Sequence, residues 1–144
     1  MEIKRQTKFL LNLLEVFEIM FKKICIIGCG LIGSSILRAI KEKKISKITT
    51  VFDKSKEVLS FLKQKKIDVE IQSNINLAVK NSDFVIIATP LSSYKEVLLS
   101  IKKDLNKNAI LTDTGSVKKE INQIIENLGL SNSWIASHPI AGTE

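Results

Sequence analysis

The stretch KICIIGCGLIGSSILRAI, residues 23–40, contains two structural patterns and the joint between them. Residues 24–27 form a short apolar run rich in β-branched side chains, the pattern of a strand buried on both faces. From Leu31 onward the period changes, and Ile32, Ile36, Leu37 and Ile40 recur at helical spacing. Between the two stand Gly28, Gly30 and Gly33, in G-x-G-x-x-G spacing. Alone, that spacing is a weak signal. Directly after a strand and opening a helix, it is the loop that receives a dinucleotide. Gly28 permits the tight turn, Gly30 lets the backbone approach a pyrophosphate, and Gly33 lets the helix pack close to the strand. Leu31 and Ile32 complete the loop, and the pyrophosphate meets the positive end of the helix.

The next strand, KITTVFD (47–53), ends in Asp53, about twenty residues beyond Gly33, where this fingerprint expects an acid. A carboxylate there accepts hydrogen bonds from ribose hydroxyls and repels a 2′-phosphate. The expected cofactor is therefore NAD, with NADP disfavoured, although Lys54 and Lys56 lie close enough to blur the preference. The same alternation runs to the end of the chain. SKEVLSFLKQKK (55–66) reads as a helix with Ser55 as N-cap, VEI (69–71) as a short strand and NINLAVKN (74–81) as a short helix. DFVIIATP (83–90) is the most apolar strand, and Pro90 marks its end. SSYKEVLLSIKKDL (92–105) is helical, with Ser92 or Ser93 as its cap, and AILTD (109–113) is a strand. VKKEINQIIENLG (117–129) is a helix stopped by Gly129, and SWIAS (133–137) is a last strand. Buried strands alternating with amphipathic helices imply an α/β fold, a Rossmann-type doubly wound parallel sheet with its switch point beside the first strand. Ligands of such sheets bind at the carboxyl ends of the strands.

Composition narrows the alternatives. At 144 residues, 44% hydrophobic and 26% charged, the chain can bury a core as one domain. Its net charge is +7, but the lysines are scattered between apolar positions, and Arg5 and Arg38 are the only arginines. With no aromatic residues among the basic ones, a solvated surface is expected and a nucleic-acid partner is not. Cys25 and Cys29 lack metal-ligand spacing and fit buried thiols in a reducing cytoplasm; no metal site is expected. In residues 1–20, KFLLNLLEVFEIM places Asn12, Glu15 and Glu18 three apart, which argues against a membrane span and a signal peptide. Either this extension is an amphipathic helix, or translation begins at Met20, since MFKKICIIG already reads as the start of a domain. The second reading is favoured, with residues 21–144 as the nucleotide-binding domain.

Thr89, Pro90 and Ser92 fall at the carboxyl end of the fourth strand, where they would border a cofactor, and Thr114 takes the matching place after the fifth. Ser116 follows the fifth strand and His138, the single histidine, follows the sixth. Both strands end on the same edge, so the two side chains can converge beside the nicotinamide. From Phe21 to Glu144 the sequence resembles the prephenate and arogenate dehydrogenases of tyrosine biosynthesis. The motifs GLIGSS, ATPLSSY, TDTGSVK and HPIAGTE carry the likeness, and the last two are specific to that family. The resemblance implies NAD-dependent oxidative decarboxylation of prephenate or arogenate. His138 would accept a hydrogen bond from the ring hydroxyl and help remove its proton, and Ser116 would hold the same region. Thr143 and Glu144 match the part of the motif that borders the substrate entrance. Members of the family continue into a helical domain that forms the dimer and supplies basic residues to the substrate carboxylates; this chain stops at the motif facing it. Two other readings stay open: a different nicotinamide-dependent dehydrogenase, and a non-catalytic NAD-binding module.

Overall fold

The structure is a computed structural model that describes residues 20–139. Six parallel strands form one sheet in the order β3-β2-β1-β4-β5-β6. They are β1 (Phe21–Ile27), β2 (Ser46–Phe52), β3 (Glu70–Gln72), β4 (Phe84–Ile87), β5 (Ile110–Asp113) and β6 (Trp134–Ile135). The helices are α1 (Leu31–Lys43), α2 (Lys56–Gln64), α3 (Ile75–Val79), α4 (Tyr94–Ile101) and α5 (Lys118–Asn127), with 3₁₀ turns at Leu91–Ser93 and Ser131–Ser133. This is the doubly wound topology expected from the sequence, with the switch point between β1 and β4.

Strand alternation divides the core in two. Ile24 and Ile26 of β1 face a layer with Leu37 and Ile40 of α1 and Leu62 of α2. Cys25 and Ile27 face the opposite layer, with Val97 and Leu98 of α4 and Ile121 and Ile125 of α5. Each fully buried aliphatic side chain contributes about 1.5–3 kcal/mol, so both layers must be filled to hold so short a chain together. Burial pushes the Cys25 thiol up to about 12, which leaves it a small neutral core residue.

Local signals set the element ends. Ser55 accepts the Val58 N–H at 3.2 Å and caps α2. Gly129, at φ +67°, follows the end of α5. Pro90 opens the 3₁₀ turn, and Ser93 takes the N-cap position of α4 but makes no side-chain cap bond; Ser92 lies within the turn. The last strand is also shorter than SWIAS suggests. Ser133 belongs to the preceding turn, and beyond Ile135 side chains take over from the ladder. Thr112 Oγ1 donates to the Ile135 carbonyl at 2.6 Å, and the Ser137 N–H donates to the Asp113 carboxylate at 3.3 Å. The N-terminal extension, apart from Met20, and both Thr143 and Glu144 lie outside the described residues. Among the described residues, no helix is long and apolar enough to cross a membrane.

Candidate functional site

The glycine loop is shaped by contacts that admit no side chain at two of its positions. Gly28 sits at φ +90°, and a Cβ there would lie 2.8 Å from the Ala88 carbonyl oxygen. Its N–H donates to the Phe52 carbonyl at 2.8 Å, tying the turn to β2. A Cβ on Gly33 would lie 2.0 Å from the Gly28 oxygen, so α1 rests directly on the loop. Gly30 differs: a Cβ there would meet nothing within 4 Å, because its outer side is open. The helix behind it starts without a capping side chain and has no acid in its first turn. Its first N–H groups are thus left for a ligand, and an anion suits them.

Two depressions meet at Gly30, Ala88, Thr89 and Pro90, which line both. The first, about 270 Å³, runs toward Phe52, Asp53 and Val58. The second, about 550 Å³, runs toward Leu31, Ile32, Thr114, Ser116 and His138. Between them, the Thr89 hydroxyl is buried with no hydrogen-bond partner among the described residues. A buried hydroxyl costs about 1–3 kcal/mol unless something satisfies it. An open backbone at Gly30, an uncapped helix start and an unsatisfied hydroxyl together fit a polar, anionic ligand lying across both lobes. A dinucleotide has that form.

Asp53 already has partners. One carboxylate oxygen accepts the Cys29 N–H at 2.6 Å and the other the Ser55 N–H at 2.8 Å, so the acid also ties the glycine loop to β2. Burial, with Asp53 nearby, pushes the Cys29 thiol up to about 11. No thiolate therefore stands beside the anion position. Leu31 is 90% exposed and Ile32 47%, two apolar side chains on the wall of the second lobe with nothing packed over them. Ser92 is exposed and lines neither lobe, whereas Ser93 lines the first. With three residues per 3₁₀ turn, Ser93 shares a side with Pro90 and Ser92 does not.

Ser116 and His138 come from different loops and stand exposed on the same lobe. Asp113 joins those loops. It is fully buried at the end of β5, and its carboxylate accepts the N–H of Gly115 at 2.9 Å and of Ser137 at 3.3 Å. These are the residues immediately before Ser116 and His138. The ammonium of Lys118 donates to both carboxylate oxygens at 2.6 Å, and the Tyr94 hydroxyl donates at 3.3 Å. Tyr94 remains a donor because burial, reinforced by Asp113, pushes its hydroxyl up to about 12. The Ser137 hydroxyl closes the cluster on the Asp113 carbonyl. Sequence reasoning named Ser116 and His138 but not this support. The available signal was an acid ending an apolar strand, followed two residues on by glycine and five residues on by lysine.

Lys118→Met should show the cluster's value. It leaves Asp113 buried with only neutral donors, and a loss of about 1–3 kcal/mol is expected. Calorimetric unfolding should show a lower Tm, with NAD affinity little changed because the glycine loop and Asp53 are untouched. An unaltered Tm would mean that the ion pair does not hold the loops.

Together, the fold and the site define a nucleotide-binding domain with two lobes that meet at Gly30 and Thr89. The chain belongs to the family described as "Prephenate dehydrogenase, nucleotide-binding domain", which matches residues 36–144. That match begins inside α1, beyond the glycine loop, and takes in the TDTGSVK and HPIAGTE motifs. Among curated proteins, a cyclohexadienyl dehydrogenase of Zymomonas mobilis is 34% identical over 124 residues, covering 86% of this chain and 42% of the relative. A prephenate dehydrogenase of Lactococcus lactis is 34% identical over 125 residues, covering 85% of this chain and 35% of the relative. Among solved structures, a prephenate dehydrogenase from A. aeolicus, in complex with hydroxyphenyl propionate and NAD+, superposes with a TM-score of 0.74 at 28% identity. That superposition covers 85% of this chain and 43% of the other. The chain therefore spans less than half the length of these relatives.

Proposed function

We propose that this chain is the cofactor-binding half of an NAD-dependent dehydrogenase acting on prephenate or arogenate. The observation that carries the reading is the meeting of two lobes at Gly30 and Thr89, one leading to Asp53 and the other to Ser116 and His138. In this reading the adenosine side of NAD takes the first lobe, with Asp53 toward the ribose. Gly28, Gly30, Gly33 and the start of α1 hold the pyrophosphate. Thr89, Pro90 and Thr114 border the nicotinamide, with Leu31 and Ile32 as its apolar wall. Bound NAD would supply the acceptor for a hydride from the hydroxyl-bearing ring carbon. The solved relative's complex with NAD+ and a hydroxyphenyl acid supports a substrate of this kind.

The residues of this chain would handle the proton. His138 accepts a hydrogen bond from the ring hydroxyl and takes its proton as carbonyl character develops; an imidazole is suited to that exchange near neutral pH. When the ring carboxylate leaves as carbon dioxide, the electron pair of the broken carbon–carbon bond makes the ring aromatic, and the oxygen recovers a proton. Ser116 donates a hydrogen bond to the same oxygen and fixes its position. Asp113 and Lys118 keep the two loops in register.

Among the described residues, the lining of the second lobe has no lysine or arginine. A dicarboxylate needs cations there, and we propose that they belong to a helical, dimer-forming domain outside this chain, beyond the HPIAGTE motif. The test uses the whole chain. Calorimetric titration should show NAD binding. With prephenate added, formation of NADH followed by absorbance should run at least 100-fold below that of a full-length relative, the scale of loss when substrate positioning fails. Comparable turnover would overturn the half-site reading, and absence of NAD binding would overturn the cofactor reading.

A further inference from the structure

One ion pair beside the first lobe has no place in the proposed chemistry. Lys54, which follows Asp53, lines that lobe, and its ammonium donates to both carboxylate oxygens of Glu96 at 3.0 Å. Glu96 lies in the first turn of α4, 42 residues away. Both side chains are well exposed, at 61% and 68%. Pairs of this kind add little to folding stability, so the bridge is not explained by the fold. Its effect is on where the lysine's charge goes.

Lys54 is the cation that Asp53 carries with it. Standing next to the acid, an unengaged ammonium would attract a 2′-phosphate and offset the repulsion from Asp53. Paired with Glu96 it does so less, because the neighbouring carboxylate offsets part of its charge. Lys56, the other lysine close by in sequence, is exposed at the start of α2 and does not line the lobe. Glu96 does not line the lobe either, so its effect there runs through Lys54. We propose that Glu96 is a specificity-determining residue: by holding Lys54, it keeps the chain selective against a 2′-phosphorylated dinucleotide. This rests on the NAD reading above.

The test is calorimetric titration of the whole chain with NAD and with NADP, for the unmodified protein, Glu96→Gln, Lys54→Met and the double variant. Glu96→Gln should tighten NADP about five-fold, the scale of one exposed charge pair, and leave NAD unchanged. The double variant should lose that gain, because Lys54 is its source. A gain that persists without Lys54 would overturn the proposal, as would an unmodified preference for NAD that Glu96→Gln leaves intact. An unmodified chain that binds both nucleotides equally would overturn the NAD reading itself, and the proposal with it.

Discussion

A chain carrying Gly33→Ala is expected to lose NAD binding altogether and to be destabilised by about 3 kcal/mol, the upper end of overpacking costs. Helix propensity predicts the opposite sign, because alanine is favoured over glycine inside a helix by about 1 kcal/mol. Packing decides against it. The added methyl would sit 2.0 Å from the Gly28 oxygen, a backbone atom that no rotamer change can move away. Gly28 cannot retreat either. It sits close to Ala88 at φ +90° and is bonded to Phe52 through its N–H. The strain is relieved only if α1 lifts from the sheet, which would open the layer held by Leu37 and Ile40. The helix start would then no longer face the pyrophosphate position. Gly30→Ala is the informative companion. Its methyl meets nothing in the protein, so Tm should hold while NAD binding weakens. A Gly33→Ala chain that melts normally and binds NAD normally would show that α1 does not rest on the loop.

These glycines were legible because their demands are local. A strand, a turn and a helix in sequence order set the loop, and a strand buried on both faces announces itself as an unbroken apolar run. The Ser55 cap and the Gly129 stop were legible for the same reason. The contacts that hold the site together are not local. Asp53 was read as a ribose ligand, but it also grips the Cys29 N–H, 24 residues back in the chain. The loops bearing Ser116 and His138 are joined by one carboxylate, across 24 residues to Ser137. Glu96 reaches Lys54 across 42. Pairings of this kind depend on how the sheet brings its strand ends together, which no window of sequence contains. Ser92 lines neither lobe, and the reason is finer still: the side of the turn a residue occupies depends on its winding, 3₁₀ here and not α.

His138→Asn is expected to reduce turnover by about 10² to 10⁴-fold in an assembled enzyme with a complete substrate site, the usual range for a group that moves a proton in the transition state. NAD affinity should change less than about two-fold, below the effect of losing one hydrogen bond. The split follows from placement. His138 lines the second lobe and is absent from the first, where the adenosine side of the dinucleotide is proposed to lie. Asparagine still offers hydrogen bonds near the ring oxygen but cannot take its proton, so the variant isolates proton transfer from positioning. The loop should stay where it is, because Ser137, and not the imidazole, anchors it to Asp113. Ser116→Ala gives the comparison. It removes a neutral hydrogen bond worth roughly 0.5–1.5 kcal/mol, a loss of about 2 to 13-fold. If both residues only positioned the substrate, the two variants would lose similar amounts. If His138 moves the proton, its loss exceeds that of Ser116 by one to three orders of magnitude, about the gap between the two classes of effect. Steady-state kcat for both variants, beside calorimetric Kd for NAD, separates the cases; full turnover in His138→Asn would remove the histidine from the mechanism.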